Sequence, residues 1–574
     1  MKAFITTGLL LLIGNSFQAK ANTLIPLRLK QMERADRLPQ AGTGTESTPL
    51  FQHSTTALLP DATPGETWLG EAFSLSAQAQ LNQLATAKTA DDLQGILSEK
   101  FLSSALETPP PSEKKDLIHQ GKGGALKAIS PQDFAQELSA LGSLKIKIIG
   151  SGTQRTRLHV EASRTQPKAS EYSATWQCTW EAGSPPRLAS LQVESFKTIS
   201  STGPWMRDLT RSVIGHNPRF SPQVLRGMEF WTQRITRIGD LAMTGHHGIA
   251  VGDVNGDGLE DLYVCDGGSL PNQLYLQQPD GSAHEVAAEW GVAWLEDSRG
   301  ALLIDLDNDG DQDLVVSTIA MIAFAENNGA GKFILRGGFP GAPYPFSLSA
   351  ADFDSDGDLD IYTCVYSAND HALKRGFEAN SPIPFNDAEN GGRNVLLANL
   401  GNFHFRDVTK QTGLDQNNTR WSFAAAWEDF DRDGDPDLYV ANDFGRNCLY
   451  RNDKGRFIDI AKDLGVEDIG AGMSVSWGDP NRDGAADLLI GNMFSSAGRR
   501  VASQGHLDAG LTRMARGNSL FTASNKGFRD HSESSGLTNG GWAWSSALAD
   551  LDNDGWQDVI VANGYLTNTR DHDL

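Results

Sequence analysis

The residues with the clearest chemical potential in this chain are six acidic nine-residue loops in its C-terminal half. Each loop reads D-x-[D/N]-x-D-G-x-x-D, which places oxygen side chains at positions 1, 3, 5 and 9 and a glycine at position 6. Oxygen ligands at this spacing suit a hard cation, and the sharp turn needs the glycine, so the loops predict about six Ca²⁺ sites. In chain order, as loops 1 to 6, the predicted ligands are Asp253, Asn255, Asp257 and Asp261; Asp305, Asp307, Asp309 and Asp313; Asp352, Asp354, Asp356 and Asp360; Asp429, Asp431, Asp433 and Asp437; Asp479, Asn481, Asp483 and Asp487; Asp550, Asp552, Asp554 and Asp558.

The flanks of these loops distinguish them from the EF-hand, which opens with the same acidic pattern. An EF-hand needs a glutamate at position 12 and a helix on each side. Position 12 is β-branched in all six loops, so the aspartate at position 9 must close the cage. Short apolar runs such as 262–266 (LYVCD) follow the loops and are typical of strands. Each loop is therefore predicted to be the tip of a β-hairpin.

The spacing of the loops predicts a repeated four-stranded unit. Loop starts lie 52, 47, 77, 50 and 71 residues apart, a period near 50 with two insertions, which fits a propeller blade. Segments such as 394–399 (NVLLAN) and 403–409 (FHFRDVT) would supply the third and fourth strands. The last unit lacks both, and 204–210 (PWMRDLT) matches the fourth-strand pattern, so pairing it there would close the ring. The predicted fold is a mainly β, six- or seven-bladed β-propeller.

These six loops resemble FG-GAP/VCBS repeats, the calcium-loop blades also found in integrin α-subunits. The wider pattern, for example GWAWSSALADLDNDGWQDVIVANGY at 541–565, resembles bacterial members of the cartilage acidic protein family. The resemblance covers roughly residues 200–565. Family members often continue into an ASPIC/UnbV module. This sequence stops at Leu574, so a function tied to that module is not carried over, and truncation before it stays open.

The acidic composition limits the expected partners. A formal net charge of −23 disfavours nucleic acid and anionic membranes. However, 22 carboxylates occupy ligand positions in the loops, so part of this charge belongs to the predicted metal sites. Without a cation, carboxylates about 4–5 Å apart repel by roughly 1 kcal/mol or more per pair. Chelation is therefore predicted to loosen the loops and lower the melting temperature.

The N-terminus predicts export. Residues 1–21 combine a lysine, an apolar stretch and the Ala19-x-Ala21 pattern of a cleavable signal peptide. Residues 22–70 are rich in Thr, Pro, Gly and Ser, which is typical of a flexible linker. No other apolar run reaches about 18 residues, so no membrane span is expected. The expected location is secreted or periplasmic.

A small α+β domain is predicted over 71–200, and the propeller over 201–574. The fold of the α+β domain could be a cone like that of nuclear transport factor 2, and the domain could serve as a spacer, a docking unit or a ligand enclosure. The helical patterns lie at 74–87, 91–102 and 131–142, and the strand patterns at 144–151, 157–163, 172–182 and 187–199.

The four cysteines do not predict a disulfide framework, although the chain is expected to be exported. Cys265 and Cys364 stand at the same place, four residues past the closing aspartate, in the first and third units. Equivalent positions two blades apart should not touch, so both are interpreted as small buried core residues. The sequence positions of Cys178 and Cys448 do not indicate a role for either residue.

A candidate ligand site lies on the residues six and eight positions before each loop, which alternate onto one side of the innermost strand. These positions are rich in aromatic side chains, which could stack on sugars or clamp a peptide. The alternative is that they pack between blades. The candidate ligand residues are His247, Arg299, Tyr344, Phe346, Trp421, Phe423, Trp542 and Trp544.

The favoured function is an exported, calcium-binding, non-catalytic module for adhesion or binding to protein or carbohydrate. The alternative is an enzyme, either a polysaccharide lyase or hydrolase or a quinone-dependent oxidoreductase. No GxSxG, HExxH or vicinal cysteine motif supports it, and lyase chemistry would rest on His246, His247 and Arg299 meeting. A third possibility is that the calcium loops themselves bridge to an acidic group of a partner.

Overall fold

The computed structural model describes residues 69–107, 118–165, 169–201, 206–226, 248–266, 270–342, 345–367, 382–502 and 509–563. The predicted signal peptide and nearly all of the predicted linker lie outside these residues, so both stay predictions. Among the described residues there is no helix of the length and apolar character needed to span a membrane.

A seven-stranded sheet forms the N-terminal part of the described chain. The elements of this part are α1 (Leu69–Thr86), β1 (Leu97–Ser103), β2 (Ile118–Gly121), β3 (Lys127–Ala128), α2 (Pro131–Leu141), β4 (Ser143–Gly152), β5 (Arg155–Arg164), β6 (Ala169–Glu181) and β7 (Arg187–Ser201). The strand order is β3-β1-β7-β6-β5-β4 with β2 also paired to β7, and β1–β7 is the parallel pair. Inward residues alternate along β6, and Trp176 packs in the core with Leu81, Leu84 and Phe134.

The helix predicted over 91–102 is wrong. The segment forms a short 3₁₀ turn at Asp91–Leu93 and then strand β1. Gly95 has a φ of +82°, which breaks the helical path between the two. In β1, Phe101 faces α2 and its ring lies 4.9 Å from that of Phe134. The other helices and strands predicted in this part are confirmed, whereas its identity as a separate cone-shaped domain stays a prediction.

The C-terminal part consists of repeated antiparallel sheets, four-stranded in repeats 1 to 5 and two-stranded in repeat 6. Two two-residue strands, β22 (Gly445–Arg446) and β25 (Ile469–Gly470), pair separately. The strands of repeats 1 to 3 are β8 (Ile249–Gly252), β9 (Asp261–Val264), β10 (Gln273–Gln277) and β11 (Ala283–Glu285); β12 (Ser298–Ile304), β13 (Asp313–Thr318), β14 (Ile322–Asn327) and β15 (Phe333–Phe339); β16 (Pro345–Ala351), β17 (Asp360–Val365), β18 (Val395–Asn399) and β19 (Phe405–Asp407). Those of repeats 4 to 6 are β20 (Ser422–Glu428), β21 (Asp437–Asn442), β23 (Cys448–Asn452) and β24 (Phe457–Asp459); β26 (Gly472–Gly478), β27 (Asp487–Asn492), β28 (Ser519–Ser524) and β29 (Gly527–Asp530); β30 (Ala543–Ala549) and β31 (Asp558–Asn563).

Successive sheets pack face to face. The first strands of consecutive repeats contact one another, from β8 through β30. Apolar clusters lie between neighbouring sheets; one of them joins Tyr362 and Cys364 of repeat 3 to Leu438 and Val440 of repeat 4. The second strands of repeats 2 to 5 are buried along their whole length, which explains their continuous apolar sequences. The chain is thus mainly β with repeated sheets, and among the described residues no strand pair joins repeat 6 to repeat 1.

The recurring F-x-D pattern ends the fourth strand and starts a one-turn helix. Asp407 shows how, because its Oδ1 accepts hydrogen bonds from the backbone N–H and hydroxyl of Thr409. Short helices therefore follow the fourth strands of repeats 3 to 5, and in repeat 1 a similar helix follows Glu285, whose side chain accepts a hydrogen bond from the Ala287 N–H. With α3 before the repeats and two in the insertion of repeat 5, the short helices are α3 (Thr210–Ile214), α4 (Ala287–Trp290), α5 (Thr409–Thr412), α6 (Ala461–Leu464), α7 (Ser496–Ala502), α8 (Ala509–Met514) and α9 (Ser532–Ser535).

The strand predicted at 204–210 is wrong over its described part. Residues 206–209 pair with no strand, and helix α3 begins at Thr210 and packs against β11 of repeat 1. Its likeness to FHFRDVT lies in the turn, because Asp208 accepts a 2.8 Å bond from the Thr210 N–H as Asp407 does for Thr409. The Asx turn directs the chain into a helix rather than along a sheet.

All four cysteines are buried and unpaired. The prediction that Cys265 and Cys364 are core residues is confirmed, and Cys178 and Cys448 are buried as well. Burial raises the pKa of each thiol, to about 12 for Cys364 and Cys448. These thiols are therefore packing residues in the reduced form.

Candidate functional site

Each acidic loop joins the first and second strands of its repeat, as predicted. In loop 1 the carboxylate of Asp253 accepts hydrogen bonds from the N–H of Asp257 (3.1 Å) and of Gly258 (2.7 Å). The corresponding pair of bonds is present in all six loops. The residue at position 1 therefore holds the turn as well as offering oxygen atoms to a cation.

The turn depends on left-handed backbone at two positions. Glycine at position 6 has φ between +84° and +97° in every loop, a region that costs other residues free energy. Position 4 is also left-handed, with asparagine at Asn308 and Asn553, which tolerates this conformation, and arginine at Arg432 and Arg482. The glycine requirement inferred from the motif is thus conformational.

The side chains of the loops converge as a cation site requires. In four loops three carboxylate groups offer oxygen atoms that all lie within 4.8 Å of one another. Asp307 Oδ1, at position 3 of loop 2, is buried and has no hydrogen-bond partner among the described residues. These donors fit a divalent cation, which would neutralise the crowded carboxylates. The converging groups are Asp305, Asp307 and Asp313; Asp352, Asp354 and Asp356; Asp429, Asp431 and Asp437; Asp550, Asp552 and Asp554.

In loops 1 to 5 the closing aspartate at position 9 is the most buried ligand candidate, whereas Asp558 of loop 6 is exposed. Burial raises its pKa to about 6 in Asp261 and Asp487 and to about 7 in Asp313, Asp360 and Asp437. A bound cation would oppose this effect, because positive charge favours the carboxylate. In loop 2 the Asp313 side chain also accepts hydrogen bonds from the N–H of Leu306 and of Asn327.

Sequence reasoning missed three buried asparagines at the end of the third strand, Asn327, Asn399 and Asn452. Each donates a side-chain hydrogen bond to the loop of the preceding repeat. Their signal was present in the sequence as the last residue of FAEN, NVLLAN and NCLYRN, at a fixed place in three repeats.

The predicted ligand ring is partly assembled in the described residues. Phe346, Phe423 and Trp544, each six residues before its loop, form a continuous cluster. The ring centroids of Phe346 and Phe423 are 4.6 Å apart, and those of Phe423 and Trp544 are 5.7 Å apart. Three different sheets supply them, so the predicted shared face of the first strands is correct here. His247 and Tyr344 lie outside the described residues.

Tyr366 and Asp443, which were not predicted, also belong to this cluster. Tyr366 lies 5.0 Å from Trp421 and 5.1 Å from Phe346 between ring centroids. Its hydroxyl donates a hydrogen bond to Asp443 Oδ2, while Oδ1 of Asp443 has no partner among the described residues. Burial raises the pKa of Asp443 to about 7. Both stand six residues past a closing aspartate, which mirrors the positions six before a loop across the hairpin.

Packing accounts for part of the cluster. Phe346 and Trp421 are 8% and 4% exposed, whereas Phe423, Tyr366 and Trp544 keep more of their surface accessible. Trp542 is likewise half-buried. The exposed part of the cluster is thus a smaller surface than the predicted ring.

Arg299 is a buried structural cation rather than an exposed ligand group. It is 5% exposed, its Nη2 lies 3.3 Å from Asp297 Oδ2, and its guanidinium lies 5.2 Å from the centre of the Phe346 ring. The hypothesis of lyase chemistry needed Arg299 beside His246 and His247, and both histidines lie outside the described residues. Nothing in the described geometry favours that hypothesis.

Comparison with known proteins shows FG-GAP repeats. The FG-GAP-like repeat pattern matches residues 253–316, 305–363, 429–490 and 503–561, which together contain all six loops. The chain therefore carries FG-GAP repeats, as its loop sequences predicted.

Cartilage acidic protein 1 of Xenopus tropicalis is 30% identical to this chain over 147 residues. The match covers 24% of this chain and 22% of that relative, so the chain spans only a small part of the relative's length. This similarity agrees with the predicted resemblance to the cartilage acidic protein family.

Solved structures with some likeness to the chain include lectin and enzyme folds. A lectin of Agrocybe aegerita that recognises non-reducing terminal N-acetylglucosamine has a TM-score of 0.31 and 14% identity, covering 72% of this chain and 86% of its own. The GH43_1 enzyme of Xanthomonas citri with xylose has a TM-score of 0.24 and 11% identity, covering 50% and 90%. TM-scores this low carry no argument about fold or function.

Proposed function

We propose that this chain is an exported, calcium-stabilised β-propeller that binds a carbohydrate ligand without catalysing a reaction. The proposed ring would place the first strands innermost, which agrees with their contacts from one repeat to the next. Export rests on the signal-peptide pattern of residues 1–21. Calcium is abundant outside the cytoplasm, so sites of modest affinity would be filled there.

Calcium would be held by the oxygens at positions 1, 3, 5 and 9 of each loop. Support comes from the convergence of three carboxylates in each of four loops and from the unpartnered oxygen of Asp307. The bound ions would screen the repulsion among these groups and fix the hairpin tips. Because the loops supply their own oxygens, the cation would act as a scaffold rather than as a bridge to a partner.

The observation that carries the ligand proposal is the meeting of aromatic side chains from three sheets with part of their surface exposed. Phe423, Tyr366 and Trp544 present ring surface, and Asp443 holds the Tyr366 hydroxyl in place. Sugar rings stack their C–H faces on aromatic rings, while phenol and indole groups hydrogen-bond to hydroxyls. A carbohydrate therefore fits this surface better than a strongly charged ligand does.

An array of bacterial and algal polysaccharides tests the proposal on the mature chain, once with Ca²⁺ and once with a chelator. We expect binding with Ca²⁺, reduced roughly 2- to 10-fold by Trp544→Ala or Phe423→Ala, which is the worth of one aromatic contact. Trp556→Ala, an exposed tryptophan on loop 6, is the matched control and should bind normally. Silence on every polysaccharide in both conditions would overturn the carbohydrate proposal and favour a protein ligand.

A further inference from the structure

We propose that Asn327, Asn399 and Asn452 are positioning residues that couple neighbouring cation loops, so that loops 1 to 4 bind Ca²⁺ cooperatively. This inference rests on the proposed role of the loops as calcium sites. Each asparagine lies at the end of a third strand and is at most 2% exposed. Each contacts two loops at once: its backbone N–H and its side chain donate to its own loop, and the side chain also donates to the preceding loop.

The link between loops 3 and 4 shows the arrangement. The N–H of Asn452 donates a 2.7 Å hydrogen bond to Oδ1 of Asp437, the closing residue of loop 4. The Asn452 Nδ2 donates a 2.8 Å bond to the carbonyl oxygen of Phe353, at position 2 of loop 3. The N–H of Phe353 in turn donates to Oδ2 of Asp360, the closing residue of loop 3, at 3.2 Å. One chain of three hydrogen bonds thus joins two closing aspartates.

The same chain joins loops 2 and 3. Asn399 donates its N–H to Asp360 Oδ1 (2.8 Å) and its Nδ2 to the carbonyl oxygen of Leu306 (2.9 Å). The Leu306 N–H donates to Asp313 Oδ2 at 2.9 Å. Asp360 therefore takes part in both chains, one through each oxygen.

Loops 1 and 2 are joined in the same way. Asn327 donates its N–H to Asp313 Oδ1 (2.8 Å) and its Nδ2 to the carbonyl oxygen of Val254 (2.8 Å). The Val254 N–H donates to Asp261 Oδ2 at 3.1 Å. A continuous path of buried hydrogen bonds consequently runs through four closing aspartates.

The path stops after loop 4. In repeat 5 the equivalent residue is Ala523, whose N–H donates to Asp487 Oδ1 at 2.7 Å as the asparagines do. Alanine has no side-chain donor, so loop 5 is not joined to loop 4 by this path. The chain therefore contains its own comparison between joined and unjoined neighbours.

Position 2 of a loop lies between the predicted ligands at positions 1 and 3, which makes the link relevant to binding. Fixing the peptide at Phe353 restricts the residues on both sides, Asp352 and Asp354. A cation bound in loop 4 orders Asp437 and, through Asn452, the backbone of loop 3. Part of the free-energy cost of ordering loop 3 is then offset before loop 3 binds its own cation. This gives positive cooperativity that acts equally in both directions.

Hydrogen–deuterium exchange, resolved by loop across a Ca²⁺ titration, tests the coupling. In the wild-type chain we expect loops 1 to 4 to gain protection together. In Asn452→Ala the Ca²⁺ concentration at which loop 4 is half protected, its midpoint, should differ from the midpoints of loops 2 and 3. The expected difference is on the order of tenfold, within the usual range of site–site coupling. The matched control is Asn447→Ala, at the residue directly before β23, with the same 0% exposure and hydrogen bonds to Asn442 and the Tyr439 hydroxyl.

Asn447→Ala should lower stability while the midpoints of loops 2 to 4 stay together. An unchanged set of midpoints in Asn452→Ala, or an equal separation in Asn447→Ala, would overturn the proposal. If Asn452→Ala fails to fold, Ala523→Asn carries the test, because it should move the midpoint of loop 5 toward that of loop 4, and an unmoved midpoint counts against coupling. Failure of the calcium proposal itself looks different, since no loop of the wild-type chain would then gain protection at any Ca²⁺ concentration.

Discussion

Single residues in the loops combine two tasks, shaping the backbone and presenting oxygen atoms. The position-1 aspartate accepts two backbone hydrogen bonds, and the closing aspartate ties the loop to the third strand. The convergence of these carboxylates in four loops could be inferred from residue type and spacing alone. Their second role could not, because it depends on which backbone N–H groups the folded hairpin brings beside them.

The glycine at position 6 should matter through backbone conformation alone. In Gly434 φ is +97°, and an added β-carbon would meet no atom within 4 Å. Gly434→Ala should lower the free energy of unfolding by about 1–2 kcal/mol, the cost of a left-handed alanine. Gly434→Asn should cost less, because asparagine enters this region more readily. Urea unfolding in saturating Ca²⁺ measures the stability of both variants. Equal stability of Gly434→Ala and wild type would contradict the conformational role of this glycine.

Asp443 should make stability depend on pH. Burial raises its pKa to about 7, above the value of about 3.9 in an unfolded chain. An acid whose pKa rises on folding contributes stability below the unfolded pKa and loses it as pH rises through the folded pKa. Asp443→Asn should therefore have little effect near pH 4 and should raise the melting temperature relative to wild type near pH 8.

The pH comparison needs saturating Ca²⁺, so that the loop carboxylates contribute equally to both proteins. Asp415→Asn, on an exposed turn, controls for removal of a negative charge. A melting-temperature difference for Asp443→Asn that stays constant between about pH 4 and pH 8 would show that Asp443 does not titrate as described.

At the scale of elements, hairpins and third strands followed from sequence more reliably than the first helix-to-strand boundary. Each loop is flanked by apolar runs whose type is unambiguous, whereas residues 91–102 carry a pattern compatible with either helix or strand. The turn at Gly95 and the packing of Phe101 against α2 decide that case, and both are tertiary effects. Likewise, 204–210 shares a motif with a strand end, but its described part, from residue 206, forms the following turn.

The one-turn helix after a fourth strand should depend on its aspartate cap. Asp407 bonds to the Thr409 N–H and forms a two-pronged ion pair with Arg393 at 2.9 and 3.2 Å. Asp407→Asn keeps an acceptor for the turn and should cost less than about 1 kcal/mol, because the ion pair is partly exposed. Asp407→Ala also removes the cap and should cost about 1 kcal/mol more. Thermal or urea unfolding of both variants compares them, and equal losses would argue against the capping role.

At the scale of the whole molecule, the aromatic cluster shows why a site is harder to predict than a fold. Phe346, Phe423 and Trp544, each six residues before its loop, were correctly expected to share a face, because strand periodicity fixes this. Tyr366 and Asp443 directly follow second strands, and their meeting depends on how neighbouring sheets pack. Sequence alone likewise could not divide the cluster into buried packing residues and accessible ones.

In the proposed propeller, cations would hold the hairpin tips and the tips would hold neighbouring sheets. Without Ca²⁺, the close carboxylates repel one another, and burial disfavours the charged form of closing aspartates such as Asp437. Ligands that bind only the folded state raise its stability by mass action. Removing the cation should consequently affect the repeats as a group rather than one loop at a time.

Calorimetric titration of the chelator-treated mature chain with Ca²⁺, paired with thermal unfolding of the same samples, is the most direct test. We expect saturable binding of several ions per chain and a melting temperature that rises with Ca²⁺ and falls again on chelation. An absence of binding heat together with the same melting temperature in Ca²⁺ and in chelator would contradict it, because the acidic loops would then be turns and not cation sites.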